Sequence, residues 1–73
     1  MAQYRLLARI ELIASREYRV TVSAIPLGMS AAMVRISVEA TLDLAQEARD
    51  RLLFELGAEI RGLGHQVVDV EGA

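Results

Sequence analysis

Two runs of strict alternation, followed at once by a long stripe of helical period, limit the fold of this chain more than any other feature. From Glu17 to Ala24, Tyr18, Val20, Val22 and Ala24 share one face, and Glu17, Arg19, Thr21 and Ser23 share the other. From Ala32 to Ala40, Ala32, Val34, Ile36, Val38 and Ala40 oppose Met33, Arg35, Ser37 and Glu39. A period of two is that of a strand whose faces meet different surroundings. Both runs therefore read as strands with the apolar set turned to the core. Pro26, Gly28 and Ser30 supply turn chemistry between them, which predicts a hairpin with a longish loop.

The period then changes. Between Thr41 and Leu63, Ala45, Ala48, Leu52, Leu56, Ile60 and Leu63 form one stripe at helical spacing, flanked by Leu53. Asp43 and Gln46 are spaced as a capping box, with Thr41 a rival N-cap. Gly62 and Gly64 are both placed to end the helix. Val67, Val68 and Val70 then form a short last strand.

The first sixteen residues carry two patterns. As a strand, Tyr4, Leu6, Ala8, Ile10 and Leu12 face the core while Leu7 and Ile13 fit badly; as a helix, Leu6, Leu7, Ile10, Ile13 and Ala14 form the stripe. Local propensity favours the helix. The strand is preferred here, because Ser15-Arg16 sits where a tight connection to the next strand would fall. The expected fold is α+β: a small antiparallel sheet in β-β-β-α-β order with one helix packed on one face. The alternative is α-β-β-α-β. Residues 1–73 make a single domain.

Size adds a further constraint. By the usual scaling, a chain of this length exposes roughly 4,500 Å² when folded, and small domains buried to that extent are marginal. Disulfides, a metal or oligomerisation are the common remedies. The chain has no Cys. Its one histidine, His65, cannot alone make a conventional zinc site, so no metal or cofactor is expected. Self-association remains, as a homo-oligomer and most simply a dimer.

Charge separates the function classes. Eight basic residues, all Arg, stand against 10 acidic ones for a net charge of −2. That balance gives no general attraction to nucleic acid or anionic membranes. The absence of Lys and Asn fits codon bias in a GC-rich, bacterial genome. Glu11 interrupts the first apolar stretch, so a signal peptide is not expected. The uncharged run from Val20 to Val34 is too short to span a bilayer and contains Pro26 and Gly28. A cytoplasmic protein is expected.

Few residues suggest chemistry. His65 is the only side chain that ordinarily titrates near neutrality, and its place after the helix glycines reads as end-capping. No serine lies in a Gly-x-Ser-x-Gly elbow, and Gly57, Gly62 and Gly64 lack the setting of a phosphate loop. Arg5, Arg9, Arg19 and Arg35 are expected together on the outer sheet face, with Glu11, Glu17, Glu39 and Asp69 among them. Such a face reads first as solvated and ion-paired. A platform for single-stranded nucleic acid would also need exposed aromatics, and this face has none.

On the helix, Phe54 falls opposite the apolar stripe beside Ala58, ringed by Glu47, Asp50, Arg51 and Arg61. A large aromatic inside a charged rim has the form of an interface anchor. A second copy or another protein is expected to shield it, with Arg51 and Arg61 pairing across that contact. Arg49 points into the stripe and is expected to snorkel past the sheet edge. The connection carrying Leu27, Met29 and Met33 is unusually apolar, and either folds back on the core or meets a partner.

The leading expectation is a non-enzymatic protein-interaction module, homo-oligomeric, acting as subunit or regulator of another protein. A nucleic-acid-binding module using the Arg face is the alternative. A small enzyme with His65 at an oligomer interface comes third.

Overall fold

The computed structural model describes residues 1–29 and 32–72. In chain order the elements are β1 (Gln3–Ala14), β2 (Glu17–Pro26), β3 (Met33–Glu39), α1 (Leu42–Gly62) and β4 (Gln66–Glu71). This is the expected β-β-β-α-β order. The four strands form one sheet in the order β3-β2-β1-β4; β1 runs antiparallel to β2, β2 antiparallel to β3, and β4 parallel to β1. The helix packs on one face.

The N-terminal segment is a strand because it is paired on both sides. Leu6, Ala8 and Ile10 lie opposite Ala24, Val22 and Val20, while Gln3 to Leu7 pair with Gln66 to Glu71. Two tertiary partners outweigh a helix propensity that is worth tenths of a kcal/mol per residue. Leu7 and Ile13, which fit the strand pattern badly, are both exposed. Leu7 lies on the face without the helix, and Ile13 sits where the register shifts beside Ala14. The turn that follows holds Arg16 at φ 61.

The helix has well-made ends. Thr41 is the N-cap: its Oγ1 accepts from the Leu44 amide at 3.1 Å, at extended backbone angles. Asp43 lies in the first turn rather than at the cap, where its carboxylate meets the helix dipole. At the other end the Gly64 amide donates to Arg61 at 3.0 Å and the His65 amide to Ile60 at 3.2 Å, with Gly64 at φ 85. These two bonds are a Schellman closure. Leu63, assigned above to the stripe, is the C-cap residue and is exposed, because the chain leaves the helix there.

The core comprises Leu6, Ala8, Val20, Val22, Ala24, Ala45, Ala48, Leu52, Leu56 and Ile60, with Met33, Leu53 and Val67 packed at its margin. The folded surface, 4675 Å², matches the size expectation. Gly72, just after β4, is tightly placed: a Cβ there would lie 2.0 Å from the Ala8 carbonyl oxygen. Among the described residues, no helix is long and apolar enough to cross a membrane.

Besides Leu63, two further core assignments are overturned: Leu12 near the end of β1, which is 65% exposed, and the apolar set of β3. Val34, Ile36 and Val38, read as core, are 46%, 61% and 55% exposed. Pairing places Ser37 opposite Val20 and Arg35 opposite Val22, so the polar set of β3 shares the helix side. On the helix side, Arg35 donates to Glu59 of α1 at 2.8 Å, and Ser37 donates to Glu39 of its own strand at 2.5 Å. The two faces of β3 differ as the sequence says, but in the opposite sense.

Candidate functional site

Among the described residues, the face of the sheet away from the helix has no layer over it, and this is the surface that most needs explaining. Register assigns its residues directly. Opposite residues on paired strands project to the same side, so Val34, Ile36 and Val38 of β3 stand beside Ser23, Thr21 and Arg19 of β2. Those in turn stand beside Leu7, Arg9 and Glu11 of β1, and Arg5 of β1 stands beside Asp69 of β4. Twist makes the middle of this face a shallow depression of about 360 Å³, lined by Leu7, Arg9, Glu11, Arg19, Thr21, Ser23 and Ile36.

The charges on this face are largely engaged with each other. Arg19 Nη2 meets Glu11 Oε1 at 3.3 Å and Arg5 Nη2 meets Glu71 Oε1 at 3.3 Å. Arg5 Nε is shielded without a hydrogen-bond partner, its nearest carboxylate oxygen being Asp69 Oδ2 at 3.9 Å. Of the four arginines expected on this face, Arg5, Arg9 and Arg19 are there. Arg35 is not: its side chain lies on the helix side with Glu59. Both tyrosines also project to the helix side, opposite Pro26 and Glu39 respectively. The open face thus carries no aromatic among the described residues.

What the alternation concealed is the apolar row itself. Val34, Ile36 and Val38 run unbroken along the outermost strand, and polar residues occupy the centre of the face. Arg35, paired with Glu59 of α1, accompanies this orientation, and alternation by itself does not say which face of the strand meets the helix.

The other candidates are dispersed. Phe54 is 77% exposed on the back of α1, with Ala58, Arg51 and Arg61 exposed around it. Arg51 approaches Glu55 of its own helix at 3.9 Å, and Arg61 lies across Gly57. Arg49 is partly buried and bonded to Asp50 at 3.0 Å, in keeping with a snorkelling side chain. Leu27 and Met29 are exposed, whereas Met33 packs on the core. Tyr4, Pro26, Met29, Ala32 and Met33 line a depression of about 240 Å³. The turn expected at Ser30 lies outside the described residues.

His65 is held as a structural group. Its Nδ1 accepts from the Ala2 amide at 3.0 Å, and its ring packs on Tyr4 at 5.4 Å between centroids. Together with the Gln66 amide donating to Ala2 at 3.0 Å, this ties the start of β4 to the start of β1. Among the described residues, no three His, Asp or Glu side chains come together as a metal site would require. Set against known protein families, curated proteins and solved structures, the chain matches none of them.

Proposed function

We propose that this chain is a non-enzymatic protein-interaction module that self-associates and serves as a subunit or regulator of another protein. The observation that carries the reading is the row Val34, Ile36 and Val38, more than two-fifths exposed at each position, on a face with no covering layer. Single exposed apolar residues are ordinary, but a contiguous β-branched row along a sheet edge has the form of a contact surface. A cytoplasmic location belongs to the same proposal and suits a chain without cysteine.

The nucleic-acid reading has less behind it. Arg5 and Arg19 already face carboxylates, Arg35 is on the other side, and no ring is available for stacking on the open face. The enzyme reading would rest on His65, whose Nδ1 is occupied by a backbone amide.

The test is the mass in solution of the wild type and of Ile36→Asp over a wide range of concentration. The wild type is expected above the monomer mass, and the variant at the monomer mass with its circular dichroism unchanged. A wild type that stays monomeric throughout overturns self-association. Steeply salt-dependent binding to oligonucleotides would favour the Arg face instead.

A further inference from the structure

We propose that the second copy docks edge to edge, β3 against the partner's β3, antiparallel about a two-fold axis through Ile36, joining the two sheets into one of eight strands. This rests on the self-association proposed above and specifies its geometry.

The two sheet edges are built differently. β4 shifts register beside Tyr4 and presents Asp69 and Glu71 on the open face. Those are devices that discourage strand addition. β3 has neither, its charges Arg35 and Glu39 lying on the helix side. Its register with β2 is regular from Met33 to Glu39, it has no Pro or Lys, and its open face is wholly apolar. Among the described residues, no segment pairs with its outer side.

The position of the row distinguishes edge pairing from face-to-face stacking. Stacking two open faces would bury their centres, which hold Arg9, Glu11 and Arg19, and desolvated charge is costly. Edge pairing instead packs Val34, Ile36 and Val38 laterally against those of the second copy as cross-strand pairs and leaves the charged centres in water.

The register follows from symmetry. A two-fold axis normal to the sheet keeps each residue on its own face, so the axis passes through Arg35, Ile36 or Ser37. Centring on Arg35 sets two guanidinium groups against each other, and like charges directly opposite are unfavourable. Centring on Ser37 runs the pairing past the strand end at Glu39 into the helix cap at Thr41. Centring on Ile36 pairs the whole strand. Val34 then meets the partner's Val38, Ile36 meets the partner's Ile36, and Arg35 faces the partner's Ser37, with the partner's Glu39 and the partner's Arg35 on its two diagonals, so that no like charges stand directly opposite. The apolar row is doubled on the other face.

The chain contains no cysteine, so single-cysteine variants report the register without background. Opposite residues of an antiparallel pair have Cα atoms about 4.5–5.5 Å apart, within disulfide reach. Under mild oxidation, Ile36→Cys is expected to form a covalent dimer in high yield. Val34→Cys and Val38→Cys should each stay uncoupled when oxidised alone and couple when mixed. A dimeric wild type whose Ile36→Cys variant does not couple, or whose Val34→Cys variant couples alone, overturns this geometry while leaving self-association standing. A monomeric wild type overturns both.

Discussion

Gly57 and Gly72 look alike in sequence, yet their surroundings predict opposite responses to a methyl group. At Gly57, buried on α1 where the helix crosses β1, an added Cβ meets Arg61 Nη1 at 3.2 Å and Leu6 Cδ1 at 3.6 Å. The first is the free end of a flexible side chain and the second an ordinary contact. Gly57→Ala should therefore gain helix propensity, roughly 0.5–1 kcal/mol, and raise the melting temperature by a few degrees. At Gly72 the backbone lies at φ 79 and the Cβ would overlap the Ala8 carbonyl oxygen. Gly72→Ala is expected to lower the melting temperature and to free the end of β4 for amide exchange. A rise at Gly72 or a fall at Gly57 would show that β1 is approached differently at those points.

At the scale of elements, most of the fold was legible because several independent signals agreed in each segment. The β2 alternation, the α1 stripe from Ala45 to Ile60 and the glycines after it each named a single structure. β1 was ambiguous because its helix-like composition is a local signal, while the pairing that makes it a strand is not local. β3 failed for a different reason. Alternation distinguishes two faces but does not say which one meets the helix, and here the set containing Arg35, bonded to Glu59, is the one beneath α1. Leu63 was misplaced because a stripe continues on paper past the residue where the helix stops. The stripe itself carries a quantitative expectation. Leu56 is 1% exposed within the core, so Leu56→Ala should lose about 2–5 kcal/mol by chemical denaturation. A loss below about 1 kcal/mol would mean that α1 faces the sheet by another side.

The molecule measures 42 × 21 × 15 Å and offers two unsatisfied surfaces on opposite sides: the β3 row on the open face, and Phe54 on the back of α1. The proposed pairing at β3 would place both helices on the same side of the joined sheet, leaving each Phe54 in water and open to another protein. Self-association and partner binding then depend on different residues. Association coupled to folding makes the melting temperature rise with protein concentration. That rise should persist in Phe54→Asp, whose exposed position predicts little change in stability, and should vanish in Ile36→Asp. If Phe54→Asp abolishes the concentration dependence while Ile36→Asp retains it, the copies meet through their helices, as the charged rim of Arg51 and Arg61 first suggested, and the β3 row is the surface left for a different partner.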